Sequence, residues 1–130
     1  MEFTFNHFNF NVLDLDKSIA FYRDVLGLHE TRRKQAPDGS FILVFMGDNE
    51  TGFTLELTWH KDRKEAYDLG ENEFHLAFWS DDIVKARAEH ERMGLIYKLH
   101  ENPAMSIYYI KDPDGYCIEI LPAGTGVVKK

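Results

Sequence analysis

Phe53-Thr54-Leu55-Glu56-Leu57-Thr58-Trp59 and Phe74-His75-Leu76-Ala77-Phe78-Trp79 are the two stretches on which the reading of this chain turns. Side chains of a β-strand alternate between its faces. In the first stretch Phe53, Leu55, Leu57 and Trp59 therefore share one face, and Glu56 stands at the centre of a polar stripe between Thr54 and Thr58. In the second, His75, Ala77 and Trp79 share one face and Phe74, Leu76 and Phe78 the other. A sheet packed under helices on one face and left open for chemistry on the other accounts for both patterns.

Each stretch has a copy elsewhere. His7-Phe8-Asn9-Phe10-Asn11-Val12 repeats the histidine-led strand, with Phe8, Phe10 and Val12 on its apolar side. Cys117-Ile118-Glu119-Ile120-Leu121 repeats the glutamate-centred strand. Along the chain the order is His7, Glu56, His75, Glu119, with an offset of 49 residues in the first pair and 44 in the second. One unit is used twice, with a few residues trimmed from a loop of the second copy.

The intervening sequence fills out both copies. Asp14 or Asp16 caps a helix over 17–26, because a short carboxylate accepts the unpaired amide hydrogens of the first turn. Ile19, Tyr22 and Leu26 recur at helical spacing, Phe21 and Val25 widen the stripe, and Gly27 stops the helix. Strands follow at 28–33, at 41–46, apolar on both faces, and at 53–59, with Pro37-Asp38-Gly39-Ser40 as a tight reversal. In the second copy Asp81-Asp82 cap a helix over 83–93 that Gly94 ends, and strands follow at 95–100, 105–111 and 116–121. The fold class is α+β: two βαβββ modules, 1–59 and 74–122, form a cupped mixed sheet. A charged linker, 60–73, joins them, and the tail 123–130 is expected to fray.

Hydrophobic residues make up 44% of the 130 residues and aromatics 14%, enough for a packed core. The net charge of −7, with no basic block longer than Arg32-Arg33-Lys34, excludes a nucleic-acid partner. No apolar run approaches the roughly 18 residues that span a bilayer, and the opening residues lack the basic segment of a signal peptide, so a cytoplasmic protein without a membrane partner is expected. Cys117 is the only cysteine, which rules out an internal disulfide. It lies on the strand face of Glu119 and reads as a small buried filler.

Taken singly, His7 and His75 read as strand histidines with ordinary partners, and Glu56 and Glu119 as exposed strand residues. Matched places in a repeat change that reading. Two imidazole nitrogens and two carboxylate oxygens suit one divalent transition ion with positions left open for water or substrate. His29, His60, His90 and His100 have no partner at the repeat offset. His90 is expected to be solvated on a charged helix face, and His60, just past the Glu56 strand, could reach the pocket rim.

The motifs that carry a family resemblance are His7-Phe8-Asn9-Phe10-Asn11-Val12 with the run from Asp16 to Leu28, then Leu55-Glu56-Leu57-Thr58, then Tyr67-Asp68-Leu69-Gly70 with Phe74-His75-Leu76-Ala77, and Asp112-Pro113-Asp114-Gly115-Tyr116-Cys117-Ile118-Glu119-Ile120. Over nearly its whole length the chain resembles glyoxalase I (lactoylglutathione lyase) of the vicinal oxygen chelate superfamily. The resemblance implies that His7, Glu56, His75 and Glu119 are the metal ligands. It implies isomerisation of the methylglyoxal–glutathione hemithioacetal to S-lactoylglutathione through a metal-stabilised enediolate, with Glu119 as first choice of base and Glu56 serving the other substrate enantiomer. It also implies a homodimer, no organic cofactor, and nickel or cobalt rather than zinc, since zinc members generally carry additional segments. Trp59-His60-Lys61-Asp62 stand where bacterial members continue Tyr-Asn-Trp-Gly, Asn11 stands where an arginine is common, and a Lys-Gly-Gly segment before Asp112 is missing. These departures leave the thiol cosubstrate open. Rival readings are ring-cleaving dioxygenases, fosfomycin-modifying transferases and methylmalonyl-CoA epimerase, against which Glu56 speaks, and metal-free antibiotic-binding members, against which the intact ligand set speaks.

Overall fold

The computed structural model describes residues 1–126 and divides into two compact units, Met1–Asp68 and Leu69–Lys130. The first unit contains strand β1 (His7–Val12), helix α1 (Leu15–Leu26), and strands β2 (His29–Gln35), β3 (Phe41–Gly47) and β4 (Thr54–His60). They form one four-stranded sheet in the order β1-β4-β3-β2. The second contains β5 (His75–Ser80), α2 (Ile83–Arg92), β6 (Ile96–Leu99), β7 (Tyr108–Lys111) and β8 (Cys117–Pro122), in the equivalent order β5-β8-β7-β6. The first and last strands of each unit pair in parallel and the remaining neighbours antiparallel. The α+β class and the βαβββ repeat expected from sequence are thus present, with a mixed sheet in each unit.

Local chemistry explains the elements. Asp14 caps α1, its Oδ1 accepting from the Lys17 amide at 3.1 Å, so the helix starts at Leu15, two residues before the expected position. Gly27 ends it at φ 70°, a conformation in which a side chain costs energy, while Leu28 N donates to Tyr22 O to close the last turn. Asp82 caps α2 in the same way through the Lys85 amide. In unit 1, Tyr22, Val44 and Leu57 are fully buried and Phe10 and Val12 nearly so; in unit 2, Tyr108, Ile110 and Ile118 are fully buried and Ile120 nearly so. Apart from Tyr22 in α1 and Val44 in β3, these residues occupy the apolar faces of β1, β4, β7 and β8, which leaves the opposite faces of those strands to His7, Glu56, Glu119 and their neighbours.

Several expectations need correction. The strand placed at 105–111 begins only at Tyr108, because Asn102 caps a one-turn 3-10 helix, Pro103–Met105, and Ser106 then takes a left-handed backbone at φ 56°. Pro103 at the first helical position favours that turn over an extended start. The strand placed at 28–33 runs to Gln35 and is exposed throughout, the pattern of a charged edge strand. His90 is not solvated: it is 5% exposed, and its Nδ1 shares a 2.7 Å hydrogen bond with the Tyr108 hydroxyl. Residues 123–126 of the expected tail form a turn held by Ala123 N donating to Ser80 O and Trp79 Nε1 donating to Thr125 O; residues 127–130 lie outside the described residues.

Candidate metal centre

Sheet register brings each histidine to its glutamate. β1 pairs with β4 so that Asn9 lies opposite Glu56 and His7 opposite Thr54; β5 pairs with β8 so that Ala77 lies opposite Glu119 and His75 opposite Cys117. In both units the histidine therefore sits one same-face step away from the residue facing the glutamate, and its ring reaches diagonally across. His7 Nε2 is 3.2 Å from Glu56 Oε1, and His75 Nε2 is 3.2 Å from Glu119 Oε1. Exposure matches as well: the glutamate side chains are each 14% exposed, and the histidine side chains 40% and 47%. Two loci so far apart in sequence with the same distances and similar accessibility are built to one plan.

The remaining oxygen of each carboxylate is also held. Thr58 Oγ1 donates to Glu56 Oε2 at 2.6 Å and itself accepts from Asn9 Nδ2 at 2.6 Å. Tyr109 OH donates to Glu119 Oε2 at 2.9 Å. Burial, joined by this bond to Glu119, raises the Tyr109 hydroxyl above its ordinary range, so it remains a donor at neutral pH. Asn6 Oδ1 faces His7 Nδ1 at 2.6 Å; an amide oxygen only accepts, and in the tautomer with the proton on Nδ1 the Nε2 lone pair can be offered to an ion.

An aromatic ring and a cation complete the row in each unit. Both outer strands carry a bulge at the equivalent place, between Glu30 and Arg32 in β2 and between Ile96 and Lys98 in β6. A bulge re-aims the next side chain. Arg32 then lies over the Phe45 ring at 4.2 Å, and Lys98 over the Tyr109 ring at 5.3 Å. Those rings stand edge-on to His7 and His75 respectively. Arg32, Phe45, Lys98 and Tyr109 were not singled out from sequence, since only the strand register places them beside the glutamates. Cys117 is buried, as expected, with its Sγ 2.7 Å from the Tyr97 hydroxyl. His60 is exposed at the end of β4.

These donors fit a divalent ion. Nitrogen and oxygen ligands about 2.0–2.2 Å from a metal leave neighbouring ligand atoms about 3 Å apart, which is the separation found in each pair. Each unit holds one such nitrogen–oxygen pair, and no group of three or more His, Cys, Asp or Glu gathers among the described residues.

Residues 4–120 match the family described as Glyoxalase/Bleomycin resistance protein/Dioxygenase superfamily. A lactoylglutathione lyase of Neisseria meningitidis serogroup A is 37% identical over 126 residues, covering 92% of this chain and 91% of its own. A lactoylglutathione lyase of Haemophilus influenzae is 34% identical over 123 residues, covering 88% and 89%. Among solved structures, the trypanothione-dependent glyoxalase I of Leishmania major superposes with a TM-score of 0.75 at 28% identity, over 95% of this chain and 89% of that one. The chain belongs to the glyoxalase/bleomycin resistance protein/dioxygenase superfamily.

Proposed function

We propose that this chain is a metal-dependent glyoxalase I, isomerising the hemithioacetal of methylglyoxal and a thiol to the corresponding S-lactoyl thioester. The observation that carries this reading is the pair of equivalent His–Glu loci, each with a 3.2 Å nitrogen–oxygen separation and the second carboxylate oxygen held by a hydroxyl. His7, Glu56, His75 and Glu119 would hold one divalent ion. Once bound, that ion supplies a Lewis acid for the oxygen charge that develops as the substrate's carbon-bound proton leaves. The reaction moves one proton between adjacent carbons, so it needs a base that takes the proton and returns it. Glu119 is that base for one enantiomer and Glu56 for the other, since either carboxylate borders open solvent on the face its histidine occupies.

The same reading assigns a homodimer, for which the exposure of Phe3 (90%), Phe5 (92%) and Val84 (78%) is support. A cytoplasmic setting fits the single free cysteine. No helix among the described residues is long and apolar enough to cross a membrane. The assay that tests the function reconstitutes metal-stripped protein with nickel, cobalt or zinc and follows thioester formation from methylglyoxal with glutathione, trypanothione and other small thiols. Turnover with at least one thiol, higher with nickel or cobalt than with zinc, is expected. A nickel-loaded protein that turns over none of these hemithioacetals would sink the assignment, and higher activity with zinc would reverse the metal preference.

A further inference from the structure

The two glutamates are held by different hydroxyls, and the residues responsible have been exchanged between the units. Besides the residue two places before it, which faces the histidine, three positions border each glutamate on its own sheet face: the residue opposite on the parallel neighbour, the residue two places on in its own strand, and the residue opposite on the antiparallel neighbour. Around Glu56 these are Asn9, Thr58 and Phe45. Around Glu119 they are Ala77, Leu121 and Tyr109. Unit 1 thus places its hydroxyl within the glutamate strand, where Asn9 orients it, and has a bare ring on the antiparallel side. Unit 2 has a methyl and an isobutyl group in the first two places and carries the hydroxyl on the ring. Every position differs, yet each carboxylate ends with Oε1 toward its histidine and Oε2 capped by one hydroxyl.

We infer that Tyr109 is a positioning residue: it does in unit 2 what Thr58 does in unit 1, fixing the plane of a ligating carboxylate so that Oε1 stays presented for an ion. A glutamate side chain turns freely about its last bond, and its two oxygens are equivalent until a donor claims one. Capping Oε2 removes that freedom before the ion arrives, and outer partners of this kind are typically worth 10–100-fold in metal affinity or activity. Phe45 and Tyr109 otherwise play the same part, each edge-on to a histidine and covered by a cation, so the phenolic oxygen is the feature that distinguishes them. This inference rests on the metal-centre reading above.

Nickel affinity, measured by competition with a chromophoric chelator on protein free of substrate, tests it separately from turnover. Tyr109→Phe should bind nickel 10–100-fold more weakly, with kcat at saturating nickel lowered and KM within about twofold. Adding Leu121→Thr and Ala77→Asn rebuilds the unit 1 arrangement around Glu119 and should recover most of the affinity. The converse pair gives an independent reading: Thr58→Val should weaken nickel binding, and Phe45→Tyr on that background should restore it. A merely structural role for Tyr109 on β7 would not be rescued by a hydroxyl placed on β8, two residues after Glu119. Recovery in either unit supports the exchange; nickel binding by Tyr109→Phe equal to wild type, or failure of both rescues, overturns it. Absence of hemithioacetal turnover in a wild type that binds nickel would overturn the functional assignment and leave this inference standing.

Discussion

Replacing Glu119 or Glu56 by glutamine separates metal holding from proton transfer, and the hydrogen bonds around each carboxylate set the size of both effects. The amide keeps one oxygen. In the folded protein the hydroxyl of Tyr109 or Thr58 donates to the Oε2 position, so the amide oxygen is drawn there and the NH2 group turns toward the histidine Nε2, 3.2 Å away. To offer its oxygen to an ion instead, the amide must flip and give up the hydroxyl bond, at a cost of about 1 kcal/mol. At 1.36 kcal/mol per decade this is roughly a fivefold loss in metal affinity, which saturating nickel overcomes. The chemistry suffers more, because an amide is no base: a positioned general base contributes 10²–10⁴-fold, so kcat at full nickel occupancy should fall by at least about two orders of magnitude. The loss should be greater for Glu119→Gln with the preferred enantiomer. Metal content of the assayed samples, measured alongside steady-state kinetics, separates the two effects. If kcat at saturating nickel stays within threefold of wild type in both variants, or falls only in proportion to lost metal, the assignment of either glutamate as base is refuted.

Two further outcomes follow from the same geometry. Tyr108→Phe removes the hydroxyl bonded to buried His90, a hydroxyl that its own burial pushes up to about 12; a loss of about 1–3 kcal/mol should lower Tm by at least about 4 °C, and an unchanged melting curve would show that the pair adds nothing to stability. Mixing a His7→Ala chain with a Glu119→Ala chain should restore partial activity if a site takes its halves from two chains, because one of the two shared sites then has all four ligands intact; inactivity of the mixture at every ratio would assign both halves to one chain.

Much of this fold was legible in the sequence because both copies obey the simplest rule of strand geometry. Glu56 and Glu119 sit amid apolar residues at a period of two, and His7 and His75 open strands of the same period, so side-chain direction followed without knowledge of pairing. The errors arose where that rule does not apply. Charges at Lys85, Arg87, Glu89, Glu91 and Arg92 made the second helix look solvated around His90. Yet Ile83, Ala86 and His90 fall on one helical stripe, and the apolar Tyr108 ring opposite is what buries the imidazole. Asn102-Pro103 lies just before the strand expected at 105–111 and shows no strand period, while a capping side chain followed by proline at the first position is how a short helical turn begins.

The hydroxyls around the carboxylates were illegible for a different reason: their logic runs across strands. Superimposing the copies on their glutamates sets Thr58 against Leu121, strand pairing sets Phe45 against Tyr109, and each difference alone looks like drift in a duplicated sequence. Pairing connects them, because Phe45 and Tyr109 face the same glutamates that Thr58 and Leu121 follow by two residues. Losing a hydroxyl from one neighbour of a carboxylate frees an oxygen that must find another donor or remain partly desolvated without one, at about 1–3 kcal/mol. A donor gained on the facing strand removes that cost. The constraint on this sheet face therefore acts on the orientation of the carboxylate rather than on the identity of any neighbour, which is how two units can share the 3.2 Å His–Glu geometry while sharing none of the three residues that border each glutamate.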